Sequence, residues 1–256
     1  MAHVSKRLVA LEADVRYREP AEDEAARIGV VPGSVPVVLS APHGAVHTRQ
    51  GRAKEEEEYT AALAMLVAAL TGAHALYARR RSSTDPNWYA EVPYKERLRQ
   101  IVEEEKVRFV FDLHGMAPHR SIGIALGTMK GRSCPEQRDE IVRLLEASGF
   151  RQDAAFPNRL DVDRTFTARG LGEQETVTRF ASQCLGVPAA QIELHPSLRV
   201  VERREDASLP KPYRGDVGGI ACIVQALVLL VQSVAGEGSH FSTAECLGSA
   251  LEWSRT

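Results

Sequence analysis

The chain has 256 residues, enough to bury the core of one large α/β domain or two small ones. Lys and Arg total 32 against 34 Asp and Glu, a formal net charge of −2, and this near balance excludes a chain built as a whole for nucleic acid or an anionic membrane. The apolar (44%) and charged (26%) fractions are those of a soluble globular protein, and the four cysteines, Cys134, Cys184, Cys222 and Cys246, stand far apart without a CxxC pair, which argues against a zinc knuckle or a disulfide framework and for a reduced, cytoplasmic setting.

The N-terminal dozen residues carry no apolar run and no cleavage site, so no secretory signal is expected. Residues 4–12 suit a first strand, and residues 14–30 a charged surface segment. Pro32, Gly33 and Pro36 mark a turn. Residues 37–41 then form a short, mostly apolar strand of the kind covered on both faces, running straight into Pro42-His43-Gly44. A polar loop with His47, Arg49 and Arg52 follows. Residues 55–70 read as a helix with an inner stripe of Leu63, Leu66, Val67 and Leu70; four glutamates fall in its first turn, where the helix dipole favours them.

Residues 73–78 suit a strand, 79–87 a polar loop, 95–106 a helix and 109–115 a buried strand. Residues 122–127 suit another strand and 136–148 an amphipathic helix closed by Gly149. Residues 151–175 are irregular and rich in Arg, Asp and Thr, as a functional loop would be. A helix over 177–185, ended by Gly186 and Pro188, leads to a strand over 189–195. The apolar run 217–234 sits at the margin of membrane-spanning length, but Asp216 as its cap and the α/β pattern before it favour a buried helix and no membrane. The tail after Gly236 is expected to be less ordered. Strands and helices alternate throughout, so a single α/β domain over residues 1–256 with a largely parallel sheet is expected.

Three strand ends carry the chemistry. Phe109, Phe111 and Leu113 alternate with Val110, Asp112 and His114, so Asp112 and His114 share one face at the carboxyl end of their strand, and Gly115 lets the backbone turn there. His43 and Glu193 stand at the ends of two other strands, and parallel strands bring such ends to the edge of the sheet where ligands bind. Two histidines and a carboxylate are a common ligand set for catalytic zinc, and a further carboxylate beside the bound water acts as general base. The acidic run 55–58 could supply one of these carboxylates. Blander roles exist for each piece. Asp112 could simply hold a core histidine, His43 could be a loop residue, the glutamates a solvated helix start, Glu193 a partner of Arg199, and Arg79 to Arg81 a solvated patch. Without interleaved aromatics those arginines do not suggest nucleic acid.

The motifs resemble the N-formylglutamate amidohydrolase family. Ser40-Ala41-Pro42-His43-Gly44 is similar to its first histidine motif, Arg81-Ser82-Ser83-Thr84-Asp85-Pro86-Asn87 to its arginine, aspartate and asparagine segment, Asp112-Leu113-His114-Gly115 to its second histidine motif, and Ile192-Glu193 to its late glutamate. The resemblance spans residues 37–200 and implies a three-layer α/β/α sandwich around a mixed, largely parallel sheet, related to zinc carboxypeptidases and aspartoacylase-like deacylases. It implies one Zn2+ per chain held by His43, His114 and an acidic residue, best matched by Glu57 with Glu58 one residue off. It further implies Glu193 as general base, Arg81 and Asn87 as contacts to the substrate carboxylate or oxyanion, and Asp112 as the residue orienting a ligand histidine.

The chain also departs from the pattern. Val46 stands three residues after His43, where carboxypeptidases carry glutamate, and Trp88 follows the asparagine where many members have arginine. Arg169 or Arg179 could then clamp the substrate carboxylate, and His195 is a further oddity beside the base. The expected ligand is a small N-acyl amino acid or a short peptide; self-association is left open. A metallopeptidase or other deacylase of the same fold, or a metal-free binding or scaffold protein, stand as the alternatives.

Overall fold

The structure of the chain, a computed structural model, describes residues 2–23 and 25–236. The tail after Gly236, expected to be less ordered, lies outside the described residues.

Helix α1 (Ala2–Glu12) stands where the sequence suggested a strand. Val4, Leu8 and Leu11 recur at helical spacing and are turned inward, while Val9 is exposed, and this 3.6-residue period sets a helix rather than a strand. The charged segment that follows contains strands β1 (Arg16–Pro20) and β2 (Ile28–Val31). Strand β3 (Val37–Ala41) is buried at all five positions. The polar loop after it is a hairpin of β4 (His47–Arg49) and β5 (Arg52–Lys54), which pair antiparallel.

Helix α2 (Thr60–Thr71) begins five residues later than the sequence suggested, so no glutamate lies in its first turn. Tyr59 precedes it in the left-handed region (φ 65°), which breaks the helical path between the acidic run and α2. The small residues of α2 let it pack closely: ten of its twelve residues are buried. Strands β6 (His74–Ala78) and β7 (Arg80–Arg81), helix α3 (Pro93–Glu104), strands β8 (Phe109–Gly115) and β9 (Ile124–Gly127), and helix α4 (Arg138–Ala147) follow as expected apart from end residues and the short β7.

The irregular stretch before residue 175 holds one short strand, β10 (Leu160–Val162). The helix expected over 177–185 is a single turn, α5 (Val177–Arg179), continued by a π-helical turn (Phe180–Cys184). Strand β11 (Ala189–Leu194) and helix α6 (Val217–Ala235) complete the described fold. Asp216 caps α6 through its carboxylate, which accepts from Gly219 N at 2.7 Å.

The central sheet has seven strands in the order β10-β9-β11-β8-β3-β6-β2. β11, β8, β3 and β6 run parallel, β2 is antiparallel to β6, and β9 is antiparallel to β11 but parallel to β10. One face carries the main core, with Phe109, Phe111 and Leu113 packed against α1, α2, α4 and α6. The other carries Val38, Leu76, Val110 and Ala189 against α3, α5 and the π-helical turn. The molecule is a three-layer α/β/α sandwich around a mixed, largely parallel sheet, as expected. By length and composition α6 alone among the described helices could cross a bilayer, yet Ile220, Ile223, Leu227, Leu230 and Val231 are buried in the main core. Asp112 and His114 face the α3 side, because they alternate with the phenylalanines that fill the main core.

Candidate metal centre

Strands β3, β8 and β11 run side by side, and their carboxyl ends deliver three side chains to one place. Glu193 on β11 lies in register with His114 on β8, and Asp112 in register with Ser40 on β3. His43 follows β3 across the short turn at Pro42. The fourth member comes from the acidic run. Glu57 is tied to the first motif by its backbone, Glu57 N donating to His43 O at 2.8 Å.

The Glu57 carboxylate bridges the two histidines. His43 Nδ1 lies 2.8 Å from Glu57 Oε1, and His114 Nδ1 lies 3.1 Å from Glu57 Oε2. The far nitrogen of each ring is held by a fully buried aspartate: His43 Nε2 is 2.9 Å from Asp85 Oδ1, and His114 Nε2 is 3.1 Å from Asp112 Oδ2. Asp112 is itself fixed by Ser40 Oγ (3.1 Å) and Thr178 Oγ1 (3.4 Å). Each imidazole thus points Nδ1 at a shared carboxylate and is locked from behind by another, the arrangement in which histidine ligands are usually oriented toward a metal.

His43, Glu57 and His114 present ligand atoms within 4.8 Å of one another, and this donor set of two imidazoles and a carboxylate suits zinc. His43, His47 and Asp85 form a second such group. There Arg49 Nε already donates to Asp85 Oδ2 at 2.5 Å, and a guanidinium on a ligand carboxylate opposes a cation. The first group fits a metal and the second does not.

The charges are strongly coupled. Burial favours neutral His43, but Glu57 and Asp85 outweigh it and raise its pKa to about 9. His114 likewise rises well above the usual imidazole range, burial being overcome by Asp112 and Glu57. Burial would raise Glu57, yet the two histidines hold it well below the usual carboxylate range. His47, stacked on His43 with ring centroids 4.0 Å apart, falls to about 3 through burial and then the charge on His43. Glu193 moves the other way: burial, opposed by His114 and aided by Glu57, lifts it to about 7. Its Oε1 accepts from Gln191 Nε2 at 2.6 Å.

The acidic run divides its labour. Glu55 is exposed, Glu56 binds Ser208 N and Oγ (2.6 Å each), and Glu58 pairs with Arg203 (Nη2 2.9 Å). Only Glu57 of the four touches the two histidines, and three of the four are tied down, where a solvated helix start was the bland expectation. Nor does Glu193 pair with Arg199. That arginine is buried and donates to Leu194 O and Glu58 O. Its guanidinium also explains Gly115, where a Cβ would lie 2.6 Å from Arg199 Cζ. The glycine is still in the strand, where it makes room for the Arg199 guanidinium rather than for a turn.

The substrate contacts expected from sequence are scattered. Arg81 is exposed on β7. Asn87 is buried, with Oδ1 accepting from Val177 N at 2.7 Å, so its carbonyl starts α5. Arg179 donates to Gln174 O (3.3 Å) and Gln183 Oε1 (3.1 Å), away from the histidines. His195 is buried, its Nε2 donating to Pro118 O (3.1 Å) and its Nδ1 accepting from Ser197 N (3.1 Å), a structural role. Asp85, His47 and Arg49 were given no role from sequence. The signal for Asp85 was present in the Arg81-to-Asn87 motif itself. Arg49 also lies over the Trp88 ring, 5.0 Å from its centroid, so Trp88 supports an arginine from elsewhere in the chain.

No protein-family model matches the chain, and no curated protein matches it. Among solved structures it is similar to a bacteriophage poly-gamma-glutamate hydrolase (13% identity, TM-score 0.45, covering 80% of this chain and 87% of the other). It is also similar to metallo-carboxypeptidases from Pseudomonas aeruginosa (14%, TM-score 0.44, 91% and 67%) and Burkholderia cenocepacia (11%, TM-score 0.43, 84% and 60%). The chain thus spans 60% of the length of the Burkholderia enzyme. At these identities and scores no residue role passes from those proteins to this chain.

Proposed function

We propose that the protein is a zinc-dependent amidohydrolase that cleaves the amide bond of an N-acyl amino acid, with N-formylglutamate as the first substrate to try. The observation that carries this reading is the geometry of His43 and His114, whose Nδ1 atoms meet on Glu57 while a buried aspartate holds each Nε2. A divalent cation held by His43, Glu57 and His114 would supply Lewis acidity toward a carbonyl and lower the pKa of a water.

The remaining work falls to the chain. Asp85 and Asp112 fix which nitrogen of each imidazole keeps its proton and leave Nδ1 for the ligand role. Glu193, with its pKa lifted to about 7, is poised near neutrality to take a proton from the attacking water and pass it to the leaving amine. Gln191 keeps that carboxylate in place from the same face of β11. For the substrate carboxylate, Arg49 has the better support: it sits on Asp85 and over Trp88, whereas Arg81 is exposed and the Asn87 carbonyl is committed to Val177. A cytoplasmic location belongs to the same reading and rests on the wide spacing of the four cysteines without a CxxC pair.

The test is a panel of N-acyl amino acids and short peptides assayed with the wild type and Glu193→Gln. The wild type is expected to hydrolyse N-formylglutamate or a close N-acyl analogue. Glu193→Gln is expected to keep its metal and lose about 10²- to 10⁴-fold in kcat. Normal turnover by that variant would remove Glu193 from the base role, turnover confined to peptides would make the protein a peptidase, and no turnover by metal-loaded wild type would reject the amidohydrolase.

A further inference from the structure

A cavity elsewhere in the molecule is lined by residues other than those of the metal centre. It measures about 660 Å3 and opens between the loop at residues 128–132 and the loop at residues 167–172, with Arg179 and Gln183 on its third side. None of His43, Glu57, His114 or Glu193 lines it. Its size falls in the range of small-molecule sites.

Its charge is one-sided. Lys130, Arg132, Arg169 and Arg179 all line the cavity, and no Asp or Glu does. None of the four is in an ion pair among the described residues. Arg132 Nε donates to the neutral Met129 O at 3.1 Å, and Arg179 donates to Gln174 O and Gln183 Oε1. Arg138, which starts the next helix, instead pairs with Asp163 and Asp139. Four unneutralised cations around one cavity repel one another, and an anion that bridged them would relieve that repulsion.

The cations also stand on a fixed frame, which separates this cavity from a solvated surface patch. Met129, Lys130 and Gly131 are three successive residues in the left-handed region (φ 52°, 59° and 84°), and Ala168 on the facing loop is a fourth (φ 60°). Non-glycine residues are uncommon there and are held where surrounding contacts impose it, ligand clamps among them. Here Asp163 imposes it, accepting from Thr128 N (2.7 Å), Thr128 Oγ1 (2.6 Å) and Lys130 N (3.1 Å). Met129 N then donates to Thr167 O at 2.8 Å and locks the two loops to each other.

We propose that this cavity is a binding site for a compact multivalent oxyanion, a small polycarboxylate or a phosphate whose oxygens are spaced to meet Lys130, Arg132, Arg169 and Arg179. The site works independently of the amidohydrolase reading, since its residues are not those of the centre. Guanidinium groups favour planar, bidentate oxyanions, so a polycarboxylate or a phosphate satisfies them better than a single halide.

Isothermal titration calorimetry on the full-length protein at about 0.15 M ionic strength tests it. Tricarballylate, inorganic phosphate and acetate serve as probes, each against the wild type and the double variant Lys130→Glu/Arg169→Glu. Both substituted side chains are exposed, and neither makes a hydrogen bond among the described residues, so the fold should survive, as circular dichroism would verify. Saturable binding of tricarballylate or phosphate is expected, with acetate at least about tenfold weaker and the double variant weaker by a similar factor or more. The stronger of the two bound probes tells whether the natural ligand carries carboxylates or phosphates. No saturable binding of either probe would overturn the proposal. Binding that the double variant leaves unchanged would also overturn it, by placing the anion elsewhere, the metal centre included.

Discussion

Asp85 determines what His43 can be. Without it, His43 would be a histidine with one free nitrogen near a carboxylate; with it, the ring is oriented and its proton placed. The sequence showed the equivalent partner of His114, because Asp112 is two residues earlier on the same strand face. For Asp85 the Arg81-to-Asn87 motif marked the residue but not its partner, because it lies 42 residues from His43 and meets it only in the folded chain. Glu57 was legible in part: the acidic run was visible, but four adjacent glutamates carry no periodic signal to say which one turns inward. The structure brings Glu57 to both histidines because Tyr59 breaks the path into α2 and leaves the run as a loop. Asp85→Asn is expected to weaken zinc binding about 10- to 100-fold, read by competition with a chromogenic chelator, with little change in overall fold. Unaltered affinity would mean that Asp85 does not orient a ligand.

At the scale of elements, α1 anchors the loop that carries Glu57. Glu12, the last residue of α1, is fully buried; its Oε1 accepts from Tyr17 Oη (2.5 Å) and from Tyr59 N (2.7 Å), while Arg204 Nη1 donates to Glu12 O (2.6 Å). The left-handed Tyr59, two residues after Glu57, is thereby tied to the end of α1. Reading residues 4–12 as a strand concealed this tie, since a strand would not have ended beneath α2. Burial raises the Glu12 carboxyl from 4.5 to about 7, against the hydrogen bonds from Tyr17 and Tyr59. A folded-state pKa above the unfolded one means that the folded state holds the proton more tightly. Its contribution to stability is complete below pH 4.5 and is lost as pH rises through about 7, a change on the order of 3 kcal/mol. Glu12→Gln keeps the acceptor and removes the titration. Across that window the stability of the wild type, relative to the variant, is expected to fall in urea unfolding curves taken from about pH 4.5 to 8. A constant difference between the two proteins would show that Glu12 does not titrate in this way.

For the molecule as a whole, the layout of the central strands and most helices was legible from hydrophobic patterning, α1 being the exception. Strands β3, β6, β8 and β11 are mostly apolar and buried on both faces, and the helices between them carry the spacing that sets a parallel sheet. Asp112, His114 and Glu193 could be found because a strand end is a position that periodicity locates. What the sequence concealed depends on irregular backbone. Residues 151–175 hold one short strand and a left-handed residue at Asp163, and Asp163 fixes a second loop 35 residues earlier in the chain, at Thr128. Arg49 reaches the centre through a hairpin read as a loop, and Arg179 turns toward a separate cavity. Such placements follow from tertiary hydrogen bonds between distant segments, which leave no period in the chain.

The central claim is that His43, Glu57 and His114 form one metal site. It is tested most directly by elemental analysis of metal per chain in protein purified without added metal, for the wild type beside His43→Ala. The account predicts about one zinc per wild-type chain and loss of that zinc in the variant. A wild type that holds no metal and takes up no added zinc, or a variant that keeps a full equivalent, would contradict it.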